Sequence, residues 1–490
     1  MNTNIVNDLQ NHFRNKVLNF LGVERDLYQL LADKDVDKAI ELMQNRDEEV
    51  DNALSEYHPQ QHKVMSRPNK RRDKEPDYVT EKLPRNLQSY INEIELFFLL
   101  GQPILWKKNN GSDDAFGLFT SFIKDTRFNA MIRQVKRIAG SETEAALVYR
   151  LYNNNGNREV LPFVVARSEG YSLRVLFDQY KQLKALAYGY TLRESNGNVK
   201  HWDILTPDYI FETKQAKVGY EVDVYDNPIG KIAGIYFQQN KAWFGAEPRL
   251  DRIEDLDSKT ADTNNYFADP IAEATADVIQ NLAKPDQPGR LIQLTGANSR
   301  FGYVAPPNGS QSRQEEKTEL KETVLFDTLT PNFDVEKMRG FGTLTGAAIK
   351  NTFAIGYIKR DKYKEIYEGL IDRQKNVIVA ILKYLHPEME EELDELDIAF
   401  EFADPFTSDK ENRWSSIANL YGAGVISLET AVQMLGIATD QKDEVNRIMA
   451  MEMDKLWTAN EAKGVQQPSE EQQDAENRGE QPATEEGAEE

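Results

Sequence analysis

Five histidines and no cysteine limit the chemistry open to this 490-residue chain. Without thiols there is no disulfide, thiolate nucleophile, zinc ribbon or iron–sulfur ligation, and the chain fits a reducing compartment. His58 and His62 stand four apart, a spacing that can set two imidazoles on one helical face for a metal. Pro59 lies between them, so the stretch reads as solvated linker. His201 with Asp203 leaves two readings open. One is an acid/base pair; the favoured one is a strand histidine satisfied by a nearby carboxylate. Pro76-Asp77 and Glu81-Lys82 have the residue types of a metal-dependent nuclease, but such sites need carboxylates on paired strands and the spacing is too short. Asp394-Glu395-Leu396-Asp397 reads as solvated charge at a helix end. There is no Gly-x-x-x-x-Gly-Lys-[Ser/Thr] phosphate cradle, and Gly340-Phe341-Gly342 lacks the third glycine of a dinucleotide fingerprint. No catalytic residue, metal ligand or cofactor can be nominated, and the chain reads as a non-enzyme.

Charge narrows the partners. Lysine and arginine number 59 against 81 aspartates and glutamates, a net of −22. A free-standing nucleic-acid binder needs clustered cations, so that class is disfavoured. Hydrophobic residues make up 40%, enough for sizeable cores, and the length suggests three or four structural regions. No run approaches the ~18 apolar residues of a membrane span. The first residues, Met1 to Arg14, are polar and lack a signal-peptide core.

The elements that would position any site follow from periodicity. Residues 1–60 read as short helices. From His58 to Lys82 the pattern stops; Arg67, Lys70, Arg71, Arg72 and Lys74 there touch nucleic acid or, as favoured, form an exposed connector. Helices are predicted over Asn86–Leu100 and Phe116–Ala139, with a break at Gly101-Gln102-Pro103-Ile104. Six β-prone runs follow: Ala145–Leu151, Leu161–Ala166, Ala185–Arg193, Tyr209–Thr213, Tyr220–Val224 and Ile232–Phe237. Asx/Gly punctuation between them predicts antiparallel hairpins, hence an α+β domain.

Two largely polar helices are expected next, Arg249–Asn265 and Ser310–Phe326. A helix polar on every face usually bridges regions or stacks on copies of itself. Between them lies a proline-punctuated insert, 267–307, with a helical run at Ile271–Ala283 and strand-like runs at Arg290–Thr295 and Arg300–Val304. A Gly-rich charged stretch, 334–345, leads into a long helix over about 346–385, with a kink near Gly356 or Gly369. Ile398–Phe402 alternates as a strand. A capping box at Ser408-Asp409-Lys410-Glu411 starts a helix carrying Trp414, Ile417 and Leu420, and two more helices follow. Residues 464–490 hold nine acidic residues and one basic, and this tail is expected to be disordered.

Two stretches carry a family resemblance. Gly342-Thr343-Leu344-Thr345-Gly346-Ala347-Ala348-Ile349 opens the long helix. Phe402-Ala403-Asp404-Pro405-Phe406 is followed by Gly422-Ala423-Gly424-Val425-Ile426-Ser427-Leu428-Glu429-Thr430-Ala431. With the order of parts, they resemble the portal proteins, or head-to-tail connectors, of tailed bacteriophages, over about residues 85–460. The resemblance implies a portal-type α+β fold: a wing (85–247 and 346–407), two stem helices (248–266 and 310–329), a small α/β clip (267–309), a tunnel loop (330–345) and a helical crown (408–463); the N-terminal helical extension and basic linker (1–84) and the acidic tail (464–490) are read from the residues alone and have no counterpart in it.

It also implies a closed ring of about twelve copies at a capsid vertex of the virion, assembled in the host cytoplasm, passing double-stranded DNA for packaging and ejection. Implied partners are a packaging ATPase (the large terminase), a head–tail adaptor, and capsid and scaffolding proteins, with no membrane. In the tunnel loop, Lys337 and Arg339 would touch phosphate weakly, Phe341 and Leu344 would constrict, and Gly340 and Gly342 would free the backbone; alternatively the two cations merely solvate a surface loop. Arg249, Arg252, Arg313 and Lys317 would line the channel or, as favoured, pair with Glu315, Glu316 and Asp255 of neighbouring copies. The alternative of another class is a metal-dependent hydrolase or nuclease of a phage.

Overall fold

The computed structural model describes residues 23–69, 79–154, 157–194, 197–268, 272–274, 300–303, 309–333, 350–406, 410–436 and 441–462. They fall into two units divided between Phe406 and Thr407.

The first unit begins with α1 (Val23–Ala32), α2 (Val36–Glu41) and α3 (Asp47–Tyr57). The Asp35 side chain caps α2 by accepting the Lys38 N–H. Two 3₁₀ turns, Pro59–Gln61 and Lys63–Ser66, occupy the expected connector. Next come α4 (Leu87–Leu100), β1 (Ile104–Asn110), α5 (Asp113–Asp125) and α6 (Phe128–Glu142). The single helix expected over 116–139 is two, because Arg127 takes a left-handed conformation, φ 51°, and ends α5. The break at Gly101–Ile104 runs straight into β1, a strand that periodicity did not reveal.

The strands β2 (Glu144–Asn154), β3 (Asn157–Val165), β4 (Ser172–Phe177), β5 (Leu183–Glu194), β6 (Gly197–Leu205), β7 (Tyr209–Gln215), β8 (Tyr220–Asp226) and β9 (Gly234–Gln238) form two antiparallel sheets. One has the order β3-β2-β9; the other is the meander β4-β5-β6-β7-β8. Each of the six β-prone runs lies in or overlaps one of these strands, and the sheets are antiparallel as the punctuation implied.

Alternation explains their burial. From β2, Ala145, Leu147 and Tyr149 enter a core with α4, α5 and α6, while Ala146 and Val148 face the five-stranded sheet. From β5, Leu186 and Tyr188 meet that same inter-sheet core, and Ala185 and Ala187 turn to the other face. There Leu27, Tyr28, Leu31, Val36 and Ala39 of α1 and α2 cover Trp202, Ile204 and Phe211.

Helix α7 (Glu247–Ala268) and helix α8 (Gly309–Asp327) pack on each other and match the two expected polar helices. Between them, β10 (Ala272–Ala274) pairs antiparallel with β11 (Phe301–Tyr303). This corrects the start of the helix expected at 271–283; its other residues, and the run 290–295, lie outside the described residues. Helix α9 (Ala354–Leu385) is 32 residues and about 48 Å long, continuous through Gly356 and Gly369. The chain turns at Phe353, ahead of the helix. Its stripe Tyr363, Tyr367, Ile371, Ile378 and Ile381 closes the core of α4, α5 and α6. After the short α10 (Glu390–Asp394), β12 (Asp397–Phe402) pairs antiparallel with β1, Ile104 opposite Phe402.

The second unit holds α11 (Lys410–Gly422), α12 (Leu428–Leu435) and α13 (Gln441–Ala462). Ile417, Ala431, Val432 and Val445 are buried, while Trp414 and Leu420 are more than a third exposed. Ser427 Oγ accepts the Thr430 N–H to start α12, and Gly436, φ 62°, ends it. The Ser408–Glu411 capping box spans residues 408 and 409, outside the described residues, as does the tail 464–490.

Candidate functional site

The two polar helices are joined by charge. Arg249 pairs with Asp327 at 2.8 Å, and Lys317 with Asp257 at 2.9 Å. Arg252 reaches Glu316 at 2.9 Å and Asp255 at 3.2 Å. Arg313 donates to Thr263 Oγ1 at 3.4 Å. The four residues nominated from the sequence are thus brought together along one helix–helix seam, and the partners are residues of the same chain. Leu250, Ile253, Leu256 and Val324 are buried at its base, most of them with Leu87, Ile91 and Trp243. The expected polar helices therefore have apolar cover from their own chain as well as any that copies of the chain supply.

A second face of α7 is covered by the segment read as an exposed connector. Asp251, Glu254, Ser258, Asp262 and Asn265 stand three or four residues apart, so they share one helical face. Residues 62–69 and 79–85 lie along it as two parts of a strap; Lys70, Arg71, Arg72 and Lys74 lie outside the described residues. Lys63 pairs with Asp251 at 2.6 Å. His62 Nδ1 meets Glu254 Oε1 at 2.6 Å, and the same oxygen accepts the Arg85 N–H at 2.8 Å. The Leu83 N–H donates to Ser258, and the Glu81 N–H to Asp262. Arg67 bridges Asp262 and the Glu81 carbonyl, and Arg85 reaches Asp257 at 3.1 Å. The strap satisfies the buried Glu254, Ser258 and Asp262 with its own backbone donors, which an α-helix or a sheet would have consumed. The polar stripe of α7 is the signal that could have revealed it.

The nominated loop residues Lys337, Arg339, Gly340, Phe341, Gly342 and Leu344 lie outside the described residues. Both chain ends that carry them are described. Phe333 stacks on Phe353 at 4.6 Å, and Phe353 on Phe406 at 5.1 Å. Phe97 and Phe98 meet Phe406 edge-on at 5.5 and 5.7 Å. Tyr90 fixes the incoming chain: its hydroxyl donates to the Pro331 carbonyl at 2.9 Å and accepts the Phe333 N–H at 3.0 Å. Asp404 fixes the outgoing chain, accepting from Tyr357 at 2.8 Å and pairing with Lys350 at 2.5 Å. It also takes the Phe406 N–H at 3.0 Å. Burial opposes ionisation of Asp404, but Lys350, Tyr357 and that N–H outweigh it and hold the carboxyl below its ordinary value. The Asp-Pro-Phe motif therefore tethers the loop root. Of these aromatic anchors only Phe406 stood in a motif quoted from the sequence; Tyr90, Phe97, Phe333 and Phe353 were not singled out, because aromatic residues at irregular spacing read as ordinary core.

The other chemical candidates are structural. Asp203 is buried and accepts from Tyr188 at 2.8 Å and Tyr190 at 3.3 Å. His201 stacks on Tyr190 at 5.3 Å, with Glu194 3.8 Å from its ring nitrogen. His58 is exposed while His62 is buried on Glu254, so the two do not act as a pair. Asp394 pairs with Lys383, and Asp397 accepts from Asn109. Among the described residues no three His, Asp or Glu side chains are placed to hold a metal ion. Within the same residues no helix is long and apolar enough to cross a membrane.

One protein-family model, described as phage portal protein, SPP1 Gp6-like, matches residues 37–455. No curated protein matches the chain. Solved structures that are similar include the neck of an empty gene transfer agent (GTA) particle computed with C6 symmetry, at 10% identity and TM-score 0.39, covering 72% of this chain and 89% of that one. The neck of a native GTA particle computed with C12 symmetry is 12% identical, with TM-score 0.34 and coverage of 72% and 90%. A native GTA virion chain is 10% identical, with TM-score 0.37 and coverage of 72% and 89%.

Proposed function

The chain belongs to the SPP1 Gp6-like family of phage portal proteins, a connector at the capsid vertex, and on that premise we propose that its α7–α8 hairpin is the stem of a ring whose bore passes double-stranded DNA. The observation that carries this reading is the matched span itself, which includes the strapped hairpin, both anchored roots of 334–349 and the second unit as far as residue 455 of its last helix. In this reading residues 85–247 and 346–407 are the wing, 248–266 and 310–329 the stem, 267–309 the clip, 330–345 the tunnel loop and 408–463 the crown. About twelve copies close the ring by repeating one heterologous interface. Arg249 and Arg252 keep about two-fifths of their side chains exposed beside their intrachain partners, leaving surface for a neighbouring copy or the bore.

The bore must not hold DNA tightly, since every phosphate contact adds salt-dependent affinity. A net charge of −22 serves passage, with Lys337 and Arg339 as sparse cations and Phe341 and Leu344 as the constriction. The clip serves a packaging ATPase and then a head–tail adaptor; capsid and scaffolding proteins meet the ring during assembly in the host cytoplasm. The role is structural rather than catalytic. Native mass measurement tests the reading: a single closed species of about twelve chains is expected, and a persistent monomer overturns it. Deleting residues 271–305 should abolish motor docking while leaving the wing folded; normal packaging by that variant overturns the clip assignment.

A further inference from the structure

A charged cluster is buried where the loop roots meet the wing. Glu95 of α4, Lys136 of α6 and Lys359 of α9 are each at most 2% exposed. Lys136 donates to Glu95 Oε1 and, at 2.9 Å, to Gln239 Oε1. Gln239 returns a hydrogen bond to Glu95 Oε1 at 2.9 Å and accepts one from Tyr367 at 2.9 Å. The carboxylate is therefore fixed before Lys359 reaches it. Lys359 Nζ lies 3.4 Å from Glu95 Oε2 and donates to Thr330 Oγ1 at 3.2 Å. Thr330 precedes the segment 334–349, and Lys359 follows it on the second turn of α9.

One carboxylate thus faces two ammonium groups. Buried ion pairs of this kind are not a net gain over apolar packing of equal volume, so stability alone does not account for the arrangement. Its geometric consequence is that both ends of residues 334–349 are referred to a single fixed carboxylate. Resting on the reading of that segment as the tunnel loop, we propose that Lys359 is a positioning residue, which fixes the root of the segment at Thr330 by tying it to Glu95.

The charge state gives this link a signature. Burial, opposed by Glu95, brings the Lys359 ammonium down to about 8. Burial works against Glu95 ionising, but Lys136 and Lys359 prevail and hold it below its ordinary value. The other titratable groups facing the cluster are Lys136, lowered by burial against Glu95, and Lys362, Tyr363 and Tyr367 of α9. Burial raises both tyrosines, so they stay protonated. Gln239 and Thr330 do not titrate. As pH rises through about 8, Lys359 loses its proton and the ion pair to Glu95 is lost.

The absence of cysteine makes the test direct. Thr343→Cys in the full-length assembled protein carries one nitroxide label, and Lys217→Cys, exposed on the β7–β8 turn, carries the control. In otherwise unchanged protein the slow component of the Thr343→Cys spectrum should be lost between pH ~7 and ~9, the interval in which a lysine lowered to about 8 titrates. In Lys359→Arg, charged throughout, it should persist over that range. In Lys359→Met it should be missing at every pH. The Lys217→Cys label should not respond. Identical Thr343→Cys spectra in all three proteins overturn the proposal, as does a Lys217→Cys label that moves in step. If Lys359→Met fails to assemble, the Lys359→Arg pH profile decides alone. None of these measurements involves DNA, so they can fail while the ring and its DNA passage stand.

Discussion

His62 and Glu254, 192 residues apart, meet at 2.6 Å with each side chain only 3% exposed. The bond joins the strap to the helix it covers. Because Glu254 also takes the Arg85 N–H, one carboxylate binds the strap near both its ends. His62→Ala leaves Glu254 buried with one donor fewer. Leaving a buried acceptor one hydrogen bond short costs about 1–3 kcal/mol. Amide hydrogen exchange should rise along residues 250–262. Unchanged exchange there would show that the strap does not support the stem.

Phe353 is sandwiched between Phe333 and Phe406 and carries both loop roots. Phe353→Ala should cost about 3–4 kcal/mol by cavity formation and lost stacking. Thermal unfolding measures the loss, and limited proteolysis should place new cleavage sites within 330–353. An unchanged midpoint and digest would remove the aromatic clamp from the account.

Asp404 titrates below its ordinary value in the folded chain. A lowered carboxylate contributes stability that is complete above the unfolded value and lost as pH falls through the folded one. Asp404→Asn should therefore be less stable than the parent at neutral pH. The gap should narrow below pH ~4, the unfolded carboxylate range. Denaturant titrations at several pH values check it, and a gap independent of pH would count against an ionised Asp404.

Gly356 lies directly under the Phe98 ring, and a Cβ there would overlap it. Gly356→Ala should destabilise by about 1–3 kcal/mol through overpacking, although alanine is the better helix former. Phe98→Leu should restore part of the loss in the double variant. Additive losses would mean that the two residues do not share the space.

Lys337→Glu with Arg339→Glu reverses the only cations placed in the proposed constriction. Ring assembly should be normal and DNA packaging slower. The defect should be greatest at low salt, where screening is weakest. Packaging at the normal rate and to the normal extent would remove 337–344 from the DNA path.

The legibility of this protein followed the range of the forces involved. Helices α7 and α9 and the runs that became β2, β5 and β7 announce themselves because periodic burial of one face is a local property, and α8 does so through its largely polar run alone. The strand β12 was legible from its alternation, whereas its partner β1 was not: Leu105, Lys107 and Asn109 face outward between few apolar residues, and only pairing with residues 397–402 makes that segment a strand. The split between α5 and α6 turns on the left-handed Arg127, which no composition signal marks.

By itself the sequence determined the mixed helical and antiparallel class, the paired polar helices and, through the motifs at 342–349 and 402–431, the portal family. Those features rest on short-range periodicity and on residue strings readable in order. Only the tertiary structure decided that 62–69 and 79–85 strap helix α7, that Arg249, Arg252 and Lys317 find acidic partners within their own chain, and that Asp404 and Phe353 tether the loop roots. Each of these is a hydrogen bond, ion pair or ring contact between residues distant in sequence. Its partner is fixed by the packing of whole elements, a quantity that no window of sequence contains.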